Sequence, residues 1–328
     1  MVKLKRESLN QSAGEVNLRL LAGFFAEAEE ALARIQLDGD EEALHDFRVA
    51  VRRMRSTERA YRACLAGGAL RKFRKRLARV GKATGYSRDL DVHLAWLEHE
   101  QAVIRSHERP GFDWLSQRLA SARQAERKRL RKKLGKHFGK LAGPFARLKA
   151  ADRPDGTMTF HAAAAGRIQK ASDVLTQALR ELPTVQDDAR LHRMRIDAKR
   201  LRYLVEPLRA PLPQAETLVR TLKGLQDLLG EMHDRQTLLA MLREASEQAG
   251  AEHFRRLVDL STTVAPDDPA YVEARERDER AGLVRLAREA REQQEDMLLK
   301  LRAQLDSGLV AELESQTGAL LDALDGCA

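Results

Sequence analysis

Apolar residues recur every three to four positions along almost the whole chain, the spacing that lines one face of a helix. The pattern predicts a first helix over Leu18–Leu37, ended by Asp38-Gly39-Asp40, and a second over Glu42–Leu65, stopped by Gly67-Gly68. A third, very basic helix covers Leu70–Lys82. Gly85 breaks it, and Ser87 or Asp89 is placed to cap a fourth that runs to His107. Arg109-Pro110-Gly111 reads as a turn before a long basic helix over Asp113–Phe138. Residues 143–157, with Gly143-Pro144 and Asp152-Arg153-Pro154-Asp155-Gly156, read as a linker. Further helices follow over Phe160–Leu182, Gln186–Leu208, Ala215–Leu229, Glu231–Ala249, Glu252–Val264, Ala270–Leu305 and Leu309–Leu324, and no segment reads as a convincing strand. Val49 and Val51 sit inside helical patterns.

Composition agrees with an all-α protein. The 328 residues hold few prolines and are 43% hydrophobic, enough to exclude a disordered chain and to build one large domain or two ordinary ones. Two cysteines, Cys64 and Cys327, cannot supply a disulfide framework and point to a reducing compartment. The N-terminus is charged, and no run approaches the roughly 18 apolar residues of a membrane span, so no membrane association is expected and the expected location is the cytoplasm.

Charge changes the picture more than composition does. The formal net charge is +9, but residues 43–210 alone carry 39 basic and 17 acidic groups, while residues 211–328 carry 14 and 23. An excess of +22 in one block attracts polyanions. The alternative is a set of solvated helix faces balanced by the acidic C-terminal third.

The chain also repeats. His45-Asp46-Phe47-Arg48 with Arg52-Arg53-Met54-Arg55 recurs as His192-Arg193-Met194-Arg195 with Lys199-Arg200-Leu201-Arg202, 147 positions on. Gly85-Tyr86-Ser87-Arg88-Asp89 recurs as Gly230-Glu231-Met232-His233-Asp234, 145 positions on. Two blocks in one order at nearly one offset predict two copies of a helical unit, residues 10–150 and 155–328, facing each other across a pseudo-two-fold axis.

On a helix, His45, Arg48, Arg52 and Arg55 lie along one stripe, extended by Arg59 and Arg62, beside an apolar stripe of Leu44, Phe47, Val51 and Met54. The second copy offers His192, Arg195, Lys199 and Arg202. Residues 47–57 hold four arginines and no acid, and residues 70–87, with Arg71, Arg74, Lys75 and Lys82 among seven cations, hold none either. Like charges at such spacing cost a few tenths of a kcal/mol per pair, so the unrelieved repulsion calls for an external counter-charge. Phosphate suits it, because Arg presents forked donors and Lys a point charge. His45 and His192 read either as structural histidines near helix starts or as further donors to an anion that raises their pKa. Asp89 and Asp234 read either as helix caps or as carboxylates that orient the arginines from behind.

These residues resemble the CHAD family, the conserved-histidine α-helical domain. The resemblance rests on the two His-Arg blocks, on Arg88-Asp89-Leu90-Asp91-Val92, on Tyr203 after the second block, and on Leu225-Gln226-Asp227-Leu228-Leu229-Gly230 with Asp234. It implies two four-helix bundles related by pseudo-two-fold symmetry, a basic central surface, binding of inorganic polyphosphate and association with polyphosphate granules. Some relatives also carry a triphosphate-tunnel domain, whose Glu-x-Glu-x-Lys signature is absent here. His233-Asp234 departs from the Arg88-Asp89 of the first copy. The expected phosphate ligands are the two stripes together with Arg53, Arg71, Arg74, Lys75, Lys82, Arg88 and Arg200.

Catalysis is not expected. Gly81-Lys82-Ala83-Thr84 lacks the first glycine of a phosphate-binding loop and the hydroxyl after the lysine, and no cysteine–histidine or carboxylate cluster of metal-site character is evident, so no metal or cofactor is predicted. The two alternatives are a nucleic-acid binder, disfavoured by the scattered tyrosines and the missing reader motif, and a granule scaffold.

Overall fold

The computed structural model describes residues 4–37, 40, 42–66, 68–150, 158–182 and 188–327. The predicted turn at Asp38-Gly39, Gly67, the Asp152–Gly156 linker, Pro183 and the Gln186 helix start lie outside the described residues. The predicted all-α class holds. Eleven α-helices are described: α1 Ala13–Leu37, α2 Glu42–Tyr61, α3 Ala69–Ala83, α4 Gly85–Glu100, α5 Arg109–Phe145, α6 Phe160–Arg180, α7 Asp188–Val205, α8 Pro213–Thr263, α9 Pro269–Glu276, α10 Glu279–Asp306 and α11 Leu309–Asp325. Two antiparallel two-residue strands, β1 Leu65–Ala66 and β2 Lys149–Ala150, pair Leu65 with Ala150 and Ala66 with Lys149.

The chain divides into two compact units. The first contains residues 1–85, 129–230 and 301–328, the second residues 86–128 and 231–300. Each unit therefore draws on both of the ranges 10–150 and 155–328, and the glycines of the second repeated block, Gly85 and Gly230, stand at unit boundaries.

In the first unit, α1 packs along α2, and α6 along α7 and α11. Phe25 stacks on Phe138 and Phe145 at centroid distances of 4.9 and 4.8 Å, Phe138 meets the edge of Phe47 at 5.4 Å, and Phe145 meets Phe73 at 5.7 Å. These rings join α1, α2, α3 and the C-terminal half of α5. Tyr61 against Phe160 ties the end of α2 to α6.

The second unit is built around Leu90, Trp96 and Leu97 of α4, Phe112 and Leu115 of α5, Leu238 and Leu242 of α8, and Leu283 and Leu286 of α10. Here Gly111 and Gly282 mark a close crossing of α5 and α10. A Cβ on Gly111 would come within 2.0 Å of the Glu279 carbonyl oxygen, and one on Gly282 within 2.1 Å of the Glu108 carbonyl oxygen.

Several predicted boundaries move, each for a local reason. Gly230 does not divide two helices and no break precedes Glu252: α8 is continuous, because an interior glycine costs only about 1 kcal/mol and packing outweighs it. Ser87 and Asp89 lie inside α4 instead of capping it, and Asp234 lies inside α8, which removes the capping reading for both aspartates. Arg109-Pro110-Gly111 forms the first turn of α5, where proline is tolerated. Gly143-Pro144 sits in the last turn of the same helix. The predicted Ala270–Leu305 helix is two: Asp278 accepts the Arg280 backbone N–H at 2.9 Å and clasps its guanidinium at 2.8 and 3.0 Å, starting α10 afresh.

Met54 is fully buried whereas Leu44 is only half-buried. Met54→Ala is expected to lower stability by about 2–5 kcal/mol, and Leu44→Ala by less, in denaturant titrations. In the second unit, burial holds the His93 imidazole down at about 4, with Asp234 pulling it up and Arg235 pushing it down. The unfolded chain therefore binds the proton first as pH falls. His93 contributes fully above its ordinary 6.5, and its contribution, about 3 kcal/mol, is lost as pH drops from about 6.5 to about 4. His93→Gln is expected to flatten the stability profile over that window.

Candidate functional site

Helix α2 has two chemical faces. Phe47, Ala50, Val51, Met54 and Tyr61 are buried. On its other side Arg52, Arg55 and Arg59 open onto a cleft of about 820 Å³ within the first unit. The walls bring Arg62 from the turn after α2, Arg74 from α3, Arg167 and Lys170 from α6, and Lys199 and Arg200 from α7. Nine guanidinium or ammonium groups thus line one cavity, against two carboxylates, Glu58 and Asp197.

Asp197 is engaged by Arg200 at 2.6 Å. Arg59 is held below the usual arginine range, first by Arg200 facing it from α7, then by desolvation and by Arg55 and Arg62. Tyr203 lies beneath two guanidinium groups, with Arg202 4.8 Å and Arg52 5.7 Å from its ring centroid. Arg55 leans over α3 so closely that a Cβ on Gly81 would stand 2.8 Å from its Nη1. Arg167 is anchored by donating to the carbonyl oxygens of Ala60 and Ala163 and lies 5.0 Å from the Tyr61 ring centroid, which ties α6 to the end of α2.

Of the predicted ligands, Arg52, Arg55, Arg59, Arg74, Lys199 and Arg200 meet at the cleft. Arg48 sits outside its lining and reaches the Gly85 carbonyl oxygen at 3.5 Å. Arg71, Lys75 and Lys82 are exposed on α3, outside the lining, as are His45 on α2 and His192 on α7. Partial desolvation, then Arg195 and Lys199, push the His192 imidazole below its ordinary range, so without an anion it is neutral at pH 7. Arg195 and Arg202 are half-buried on α7. Arg88, Asp89 and Asp234 belong to the second unit.

Arg53 requires a correction. Its side chain is 18% exposed and grips Glu206 at 2.9 and 3.4 Å, with Glu27 at 3.6 Å and the Phe24 ring centroid 5.9 Å away. An internal acid already faces this guanidinium, which does not line the cleft. Arg167, Lys170 and Glu58 escaped the sequence reading. At the repeat offset Arg167 and Lys170 correspond to Leu20 and Gly23, so the duplication that exposed the two stripes could not expose them.

A family model for the CHAD domain matches residues 19–243, more than half of the chain. The protein belongs to the CHAD domain family. The fold of this CHAD domain is similar to the crystal structure of the CHAD domain from the plant Ricinus communis, with a TM-score of 0.55 at 23% identity over 86% of this chain and 96% of that one. It is also similar to PptA from Streptomyces chartreusis, with a TM-score of 0.56 at 16% identity over 86% of this chain and all of that one. No curated protein sequence matches it. Among the described residues, no helix is long and apolar enough to cross a membrane, and no group of three or more His, Cys, Asp or Glu side chains could hold a metal ion.

Glu206 is 9% exposed at its side chain. Glu206→Gln leaves the Arg53 charge with only the more distant Glu27 and is expected to lower stability by about 2–3 kcal/mol, read by thermal or chemical unfolding.

Proposed function

We propose that this CHAD domain is a binding module for inorganic polyphosphate, which lies in the arginine cleft between α2, α3, α6 and α7, and that it serves at polyphosphate granules without catalysing a reaction. The observation that carries the reading is the imbalance in the cleft: nine cations, one carboxylate already paired with Arg200, and one that is buried. A flexible chain with a negative charge at every repeat places phosphoryl oxygens against guanidinium forks entering from several helices. Each contact replaces repulsion such as that between Arg59 and Arg200 with attraction.

Single-stranded nucleic acid would need aromatic faces for its bases to stack on. Both tyrosines beside the cleft are spent. Tyr203 is 5% exposed beneath Arg52 and Arg202, and Tyr61 is 2% exposed against Phe160. Phosphate alone remains to be read, and polyphosphate offers it at the highest density.

The test is a titration with polyphosphate of defined length, repeated in competition with duplex DNA. The triple variant Arg52→Ala, Arg55→Ala, Arg59→Ala is expected to lose on the order of a hundredfold in affinity, about 1 kcal/mol for each charge-assisted contact. Its far-UV circular dichroism stays unchanged and its salt dependence becomes shallower. Unchanged affinity in that variant, or displacement of long-chain polyphosphate by DNA at equal phosphate concentration, would overturn the proposal.

A further inference from the structure

Glu58 has no part in the account so far, and its position is unusual. It is 3% exposed, yet it lines the cleft, and its Oε1 meets no hydrogen-bond donor. Three of the groups facing it lie on its own stretch of chain, Arg55, Arg59 and Arg62, and Arg74 faces it from α3. Across the cleft, α6 presents Arg167 and Lys170, and α7 presents Lys199 with the Arg200–Asp197 pair. With no hydrogen-bond donor at one oxygen, the charged form of this carboxylate is favoured by the field of the surrounding arginines and not by a bond at that oxygen.

We propose that Glu58 is the resident counter-anion of the cleft, and that an entering phosphate chain takes over this role and leaves Glu58 protonated. The step is a simple proton uptake: one carboxylate oxygen binds one proton from solvent as the arginines turn their donors to phosphoryl oxygens. The neutral carboxyl is then an O–H donor to the ligand instead of a charge repelling it. This inference rests on the polyphosphate reading and deepens it, since it makes binding tighten as pH falls.

The balance of forces on Glu58 supports the exchange. Burial raises its pKa, while Arg74, Arg62, Arg59 and Arg55 lower it, and burial prevails even in the empty cleft. Neutralising those four arginines removes the opposing force and leaves the burial cost in place. Among the lining residues, the other carboxylate, Asp197, has a partner of its own in Arg200 at 2.6 Å.

The experiment is isothermal titration calorimetry of the full chain with long-chain polyphosphate, in pairs of buffers differing in ionisation heat, at mildly acidic and at neutral pH. The wild type is expected to take up protons on binding. Glu58→Gln should take up fewer, by as much as about one, bind more tightly at neutral pH and vary less with pH. His192→Gln is the control for the other group whose charge the ligand favours: it should remove its own share and leave the Glu58 share intact. Titration of the terminal phosphates cancels, because both proteins meet the same chain. If Glu58→Gln does not fold, Glu58→Met provides the same subtraction. Equal proton uptake by wild type and a folded Glu58 variant would overturn this inference and spare the polyphosphate reading, whereas a wild type that binds no polyphosphate would overturn both.

Discussion

A row of arginines that repel one another stays in place only because the same helix is gripped from behind. On α2, Phe47 and Met54 are fully buried and Val51 nearly so. Burying side chains of this size contributes about 1.5–3 kcal/mol each, whereas each like-charge pair along the helix costs only a few tenths. The apolar face therefore decides where α2 lies, and Arg52, Arg55 and Arg59 are carried to the cleft regardless of their mutual repulsion. The ring cluster of Phe25, Phe138 and Phe145, which Phe47 and Phe73 join, does the same for α3, the wall that brings Arg74. Hydrophobic packing in this way holds like charges together against their mutual repulsion.

The protein treats its cations in two ways, and the difference lies in whether an acid was placed opposite. Arg53 is one residue from Arg52, yet helical geometry turns it toward Glu206, Glu27 and Phe24, where it ties α2 to the end of α7. Arg52 turns the other way, over Tyr203 and into the cleft. Neighbours of identical chemistry thus divide into a structural cross-link and a candidate ligand.

This division limits what could be read from the sequence. The all-α class and the stripe Arg52-Arg55-Arg59 follow from periodicity alone, because a spacing of three or four residues both forms the helix and aligns its side chains. The repeat drew attention to α7, which brings Lys199 and Arg200 to the cleft. What stayed hidden depends on contacts between segments far apart in the chain. Glu206 stands 153 residues from Arg53. Arg167 and Lys170 enter from a helix whose first-copy counterpart has no cations at those positions. Gly111 looked like punctuation and Gly282 lay unremarked inside a predicted helix, and both are the contact surface of two crossing helices. Gly230 also looked like punctuation, and in α8 it interrupts nothing.

The same separation answers the objection that the acidic C-terminal third balances the basic middle. Several of those acids are matched close to where they stand. Within the second unit, Glu252 meets Arg118 and the Trp114 indole N–H, Glu289 meets Arg285, and the buried Glu279 has Arg256, Arg277 and His253 within 3.6 Å. Within the first unit, Glu216 clasps Arg209 and Glu314 pairs with Arg180. No residue beyond position 204 lines the cleft. A chain total of +9 averages these pairs with the cation-rich lining of the cleft, and a carboxylate already paired with an arginine of its own is largely spent as a counter-charge. The relevant quantity is the charge of the cavity lining, seven positive even with both of its acids ionised, and that local excess is what a phosphate chain would meet.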